Sequence, residues 1–182
     1  MVVTPEEKVA AAVTGDAAGL QRLLEFAAEA TLPLLLIVVG LLLTRDRRLL
    51  LGLSAVGAIL CLAGFGRLLY TVTYDIAGSP DFALPVWAVL YLVVYLVLFF
   101  AFAFFGLHLW APGRFVGGLL AVTPPSRAFL DSLYLSLTNY ISVPPDPSLT
   151  LRTPLPRYLS VVEGLLSMFV NVVIITKFVN TF

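Results

Sequence analysis

The sequence predicts an all-α integral membrane fold, and three observations carry that prediction. Hydrophobic residues make up 60% of the chain and charged residues only 12%, with a mean hydropathy of +1.00. A soluble domain carries about 25% charged residues, so water is not the solvent for most of this surface. Four apolar runs, moreover, have the length a helix needs to cross ~30 Å of hydrocarbon, which is about 20 residues. None of these runs alternates with period two, and only helices satisfy their own backbone groups in lipid without closing a barrel.

The first run covers 30–43 and extends backwards through 23–28; the others are 49–70, 84–107 and 158–179. Four transmembrane helices are therefore expected. Ahead of them, residues 1–29 read as an amphipathic, interfacial segment. Thr4-Pro5-Glu6-Glu7 supplies an N-cap, a proline at the first helical position and a capping-box glutamate, and Asp16 can cap a second start. No basic stretch leads into a short apolar core with a small-residue cleavage site, so no cleaved signal peptide is expected.

With 11 basic and 11 acidic residues the net charge is zero. That argues against a nucleic-acid partner and leaves apolar burial in the lipid bilayer as the means of attachment. Cys61 is the only cysteine, which excludes an intramolecular disulfide and leaves no basis for a zinc site. There is no nucleophile beside a base, no cluster of metal ligands and no phosphate-cradling glycine loop. Neither enzymatic activity nor a cofactor is expected.

Between the third and fourth runs, Trp110 to Arg157 neither crosses fully nor becomes a plain polar loop. Thr123-Pro124-Pro125-Ser126 offers helix-start chemistry, and 127–140 then repeats apolar residues at helical spacing through Phe129, Leu130, Leu133, Tyr134 and Leu137. About 14 residues give ~21 Å, too short to cross. Ser142-Val143-Pro144-Pro145-Asp146-Pro147 ends the helix. The pattern predicts a re-entrant half-helix followed by an extended segment over 141–147, which at membrane depth must be buried in protein or line water.

The last run carries Ser160, Glu163, Ser167 and Asn171 at intervals of three, four and four, hence on one helical face. A carboxylate in a span costs up to ~3 kcal/mol on insertion scales and turns toward protein or water. That face is the candidate pore lining; the alternative is that its small and polar members hold neighbouring helices together. Farther along, Ile174, Ile175 and Phe178 form a candidate gate closing by dewetting.

Span, short helix, turn and final span follow in order. Ser132-Leu-Tyr-Leu-Ser136-Leu-Thr138 lies in the short helix, and Arg157-Tyr-Leu-Ser-Val-Val-Glu163-Gly164-Leu-Leu-Ser167 opens the last span. Over about the final half of the chain this resembles the pore module of tetrameric potassium-channel-like proteins. The resemblance implies a pore-like module over 82–182, with an outer helix at 84–108, a pore helix at 127–140, a filter-like segment at 141–147 and an inner helix at 158–179. It also implies a homotetramer around a central pore, a hinge at Gly164, inorganic cations as permeant species, and the plasma membrane as location. Residues 30–75 would be two peripheral transmembrane helices.

Where potassium channels carry Thr-Val-Gly-Tyr-Gly-Asp, this chain has Ser142-Val143-Pro144-Pro145-Asp146, one residue short and without either glycine. Stacked carbonyl rings need positive φ at such positions, whereas proline is fixed near −65° and has no N–H. A potassium filter is therefore not expected. The constriction would be lined by Thr138, Asn139, Tyr140, Ile141, Ser142, Val143 and Pro144, with Pro145 and Asp146 toward its mouth. The partial negative charge at the C-terminal end of the half-helix, near Tyr140, favours cations. The expected function is a weakly cation-selective pore-loop channel. The alternative is a non-conducting assembly or accessory subunit that keeps the fold. A small transporter would show repeat symmetry and paired broken helices, which this sequence lacks.

Two features pull the membrane orientation in opposite directions. The resemblance places both termini in the cytoplasm, whereas Arg45, Arg47, Arg48, Arg114, Arg127, Arg152 and Arg157 all fall on the pore-loop side, against Lys8, Arg22 and Lys177 opposite. Arg67, alone in the second span, reads as a snorkelling residue rather than a voltage sensor. His108 and Trp110 read as an interfacial belt closing the third span.

Overall fold

The computed structural model describes residues 31–78, 86–119, 123–144 and 147–179, with side chains for all of these except 71–78, 86–88 and 173–179. The interfacial segment expected at 1–29 lies outside the described residues, as do Pro145 and Asp146. The described residues form five helices: α1 at Thr31–Leu43, α2 at Arg47–Gly78, α3 at Val86–Trp110, α4 at Pro125–Tyr140 and α5 at Pro154–Val179. Extended pairing among the described residues is limited to an isolated antiparallel bridge between Val116 and Leu151. Among the described residues, two stretches are long and apolar enough to cross a membrane, Arg47–Tyr70 in α2 and Val89–Trp110 in α3. Of the four spans expected, these two meet that criterion; α1 is shorter over its described residues.

Helix boundaries follow local chemistry. Thr44 N–H closes α1 on the Gly40 carbonyl at 2.9 Å. Asp46 then caps α2, its Oδ1 accepting the Arg48 N–H at 2.8 Å. Beyond Tyr70, α2 continues to Gly78 because no breaker intervenes before Gly78-Ser79-Pro80. Helices α4 and α5 both begin on proline, four residues earlier than expected for α5 and two earlier for α4. Proline costs nothing there, since the first N–H groups of a helix have no intrahelical acceptor.

Helix α3 is the hub, packed against α2, α4 and α5, while α4 also packs on α5. The α2 seam is a stripe of small buried residues, Ser54, Gly57, Cys61 and Gly64. Small residues let a neighbouring helix approach closely and leave room for large rings. The Phe102 ring fills the space over Gly57, where a Cβ would lie 2.8 Å from it, and Tyr95 lies over Gly64 at 3.0 Å. Ser54 Oγ donates to the Phe102 carbonyl at 2.7 Å, satisfying a buried hydroxyl within the seam. At the end of the pair, Arg47 donates to the carbonyls of Leu109 at 2.8 Å and Trp110 at 2.9 Å. It thereby caps the C-terminus of α3 and fixes the start of α2 at the same level.

Phe129 anchors α4 on α3, with ring centroids 5.4 Å from Phe102 and 5.5 Å from Phe105, the latter edge-on. Such geometry adds about 0.5–1.5 kcal/mol beyond area burial. Phe102 touches both Gly57 and Phe129, so one ring joins α2, α3 and α4. The loops on either side of α4 are tied together above it. Gly117 N–H donates to the Thr150 carbonyl at 2.6 Å and Arg152 N–H to the Phe115 carbonyl at 3.0 Å. Gly118, at φ +85, passes so close to the Ser148 carbonyl that a Cβ would collide with it.

Candidate functional site

The short helix α4 has 16 residues and is ~24 Å long at 1.5 Å per residue. Its sequence puts Ser132, Leu135, Ser136 and Thr138 on the buried face and Leu130, Tyr134 and Leu137 on the exposed one. Each buried hydroxyl finds an acceptor. Ser132 Oγ donates to the Ala128 carbonyl at 2.8 Å, and Thr138 Oγ1 lies 3.0 Å from the Tyr134 carbonyl and 2.9 Å from that of Leu135. These back-bonds allow polar residues to sit on a buried helix face. They also commit the Thr138 hydroxyl hydrogen to its own helix.

Ser136 is the junction of three helices. Its Oγ lies 2.8 Å from the Val97 carbonyl of α3 and is hydrogen-bonded to Glu163 Oε1 of α5. The other carboxyl oxygen accepts from Asn139 Nδ2 at 2.9 Å. Ser136 and Glu163 both have 0% exposure. Glu163 thus clasps the last two turns of α4 through both of its carboxyl oxygens. Ser167 is buried on the same side, its Oγ donating to the Gly164 carbonyl at 2.8 Å. Ser160 is half-buried and Asn171 exposed. Asn171 Oδ1 accepts from the Tyr140 hydroxyl at 2.9 Å, a second tie between α4 and α5.

The polar stripe of α5 is therefore its packing face toward α4. The opposite face, exposed on the single chain, is apolar: Val161, Val162, Leu165, Met168, Phe169 and Val172. A Cβ at Gly164 would meet nothing within 4 Å, so packing does not require glycine there. Ile174, Ile175 and Phe178 lie on the α5 helix, but their side chains fall outside the described residues.

The segment after α4 begins as a turn rather than a strand. Val143 N–H donates to the Thr138 carbonyl at 2.9 Å and Ser142 N–H to the Asn139 carbonyl at 3.1 Å. This pair of bonds is a Schellman motif with Ser142 at the left-handed position, φ 57. Glycine is the usual occupant, and Ser142 is the non-glycine residue with positive φ among those described. Ile141, Ser142, Val143 and Pro144 are all exposed. The expected extended segment thus loses its first two residues to the helix terminus, because backbone bonds to the last turn satisfy carbonyls that a strand would leave open.

Sequence reasoning marked Glu163 and Asn139 separately without joining them. It placed Ser136 in the short helix without joining it to Glu163 or to the Val97 carbonyl. The i, i+4 pair of serines at 132 and 136 was the available signal, since two hydroxyls on one face of an otherwise apolar helix need internal acceptors.

The fold and this junction define, over the described residues, an all-helical protein with two helices long and apolar enough to cross a membrane and a short polar-seamed helix wedged beside them. Compared with known proteins, the chain matches no family model, no curated protein and no solved structure.

Proposed function

We propose that this chain is the subunit of a homo-oligomeric pore-loop channel in a cell membrane, passing cations with weak selectivity and without preference for potassium. Helices α1, α2, α3 and α5 cross the bilayer, α4 enters it part-way, and four subunits surround the conduit. The observation that carries this reading is α4 itself. At ~24 Å it is too short to span, yet it is buried along one face by both flanking helices and clasped at its inner end by Glu163 and Asn171. A helix so placed brings its C-terminal partial negative charge and the Ile141 to Pro144 backbone to membrane depth. Irregular backbone there must line water or be covered by protein.

Under this reading Glu163 positions the pore helix and does not meet the ions. Selectivity then rests on carbonyls after Tyr140 and on Asp146, without a ring of buried carboxylates. Farther along α5, Ile174, Ile175 and Phe178 are the gate, which closes the inner conduit by dewetting. Gly164, free of packing demands, is the hinge. Bilayer recordings with sodium on one side and potassium on the other test this. A reversal potential near zero is expected, and a strongly potassium-selective potential would refute it.

A second reading has its own support. The carboxylate and the Ser167 hydroxyl are both spent inside the subunit, and the chain turns back at Ser142. Both features also suit a non-conducting subunit that keeps the fold for assembly. Such a protein would oligomerise normally and pass no ions.

A further inference from the structure

The chain is neutral overall, but its arginines are not evenly placed. We infer that the end of the molecule where α2 begins and α3 finishes is a docking surface for the phosphate headgroups of anionic phospholipids, held by Arg45, Arg48 and Arg114. This inference requires residence in a membrane but not conduction.

The geometry that gathers these residues is fixed by backbone bonds. Arg47 ties the first turn of α2 to the Leu109 and Trp110 carbonyls, so Arg45 and Arg48 stand at the level of the α3 terminus. Arg114 follows within one turn, its N–H bonded to the Ala111 carbonyl at 3.1 Å, and its guanidinium lies 5.8 Å from the Phe115 ring centroid. Arg152 closes the patch, with Nη1 3.3 Å from the Gly113 carbonyl. Arg45, Arg48 and Arg114 are exposed, and none has a carboxylate partner among the described residues. The one nearby acid, Asp46, is engaged in capping α2.

What selects a lipid over a soluble anion is the apolar rim in register with this charge. Leu43 is 77% exposed, Leu49 59% and Trp110 68%, each within a turn of an arginine. Exposed tryptophan at the end of an apolar helix is the signature of the headgroup level. Guanidinium forks bind phosphate oxygens bidentately, while the adjacent leucines accept the upper acyl chains. A soluble phosphate would use the forks and gain nothing from the rim.

The test uses the full chain purified in a neutral detergent. Lipid binding is followed by native mass spectrometry and by thermal protection, with phosphatidylglycerol, phosphatidylcholine and inorganic phosphate each added alone. Phosphatidylglycerol is expected to bind in preference to phosphatidylcholine, and inorganic phosphate to give no protection. The triple variant Arg45→Gln, Arg48→Gln, Arg114→Gln should lose that preference, by about fivefold in affinity per arginine removed. To separate lost charge from a loosened fold, Arg45→Lys, Arg48→Lys, Arg114→Lys is measured beside it and should keep most of the preference. Equal headgroup preference in the glutamine variant and the parent would overturn the inference. Protection by inorganic phosphate equal to that by lipid would reduce the surface to a general anion patch and overturn it as well.

Discussion

Glu163 of α5 accepts a 2.9 Å hydrogen bond from Asn139 of α4, and both oxygens of its carboxyl are occupied within the fold because Ser136 binds the other one. The Ser136 hydroxyl has one hydrogen and two acceptor-type neighbours, Glu163 and the Val97 carbonyl. An amide at position 163 resolves that competition: its N–H₂ donates to Ser136 Oγ, the serine hydrogen goes to Val97, and the amide oxygen keeps Asn139. Glu163→Gln should therefore be as stable as the parent or slightly more so. Glu163→Ala and Ser136→Ala strand buried partners and should each cost about 1–3 kcal/mol. Thermal unfolding in detergent ranks the three variants, and a Glu163→Gln as damaged as Glu163→Ala would contradict the hydrogen-bond assignment.

Ser142 holds a left-handed conformation at φ 57. Glycine takes that conformation without the steric penalty, so Ser142→Gly should gain about 1 kcal/mol, while Ser142→Val should lose at least as much. Stability of the pair relative to the parent checks the Schellman turn directly. If the turn sits at the conduit, ion preference should change in the same two variants.

Gly57 faces the Phe102 ring, where a Cβ would approach to 2.8 Å. Gly57→Leu must displace that ring, and with it the Phe129 contact that seats α4. A loss of about 1–3 kcal/mol is expected from overpacking. Gly52→Leu is the control, since nothing lies within 4 Å of its Cβ position. A helix surface indifferent to the difference would mean that α2 and α3 do not meet along this seam.

Asp46 and Thr150 are far apart in sequence but on the same end of the fold, through Arg47 to Trp110 and through Gly117 to Thr150. Cysteines placed at these two positions should react with an impermeant thiol reagent from the same side of intact cells. Cys61 is fully buried and should stay silent. The side that reacts also settles the conflict between the arginine distribution and the resemblance to potassium-channel-like modules. Labelling from opposite sides would break the arrangement of α2, α3 and the loops around α4.

The helices were legible because lipid-length apolar runs and proline starts are local signals. Pro124-Pro125 announces the start of α4, whereas the start of α5 at Pro154 and the end of α2 at Gly78 lie four and eight residues beyond the apolar runs that revealed these helices. The direction of the polar stripe on α5 was not legible. Periodicity places Ser160, Glu163, Ser167 and Asn171 on one face but cannot say whether water or α4 lies opposite. That depends on Ser136 and Asn139, more than twenty residues away, and on a donor count that only three-dimensional proximity makes visible. The turn at Ser142 was hidden for a related reason: serine is not the residue that usually announces a left-handed terminus.

Ion flux from liposomes containing the purified, size-verified oligomer tests the central proposal most directly. Cation efflux exceeding chloride efflux, similar for sodium and potassium, and altered by substitutions at Ser142 is the predicted result. A homogeneous oligomer that passes neither sodium nor potassium at any applied voltage or pH would contradict the channel reading and leave the non-conducting assembly in its place.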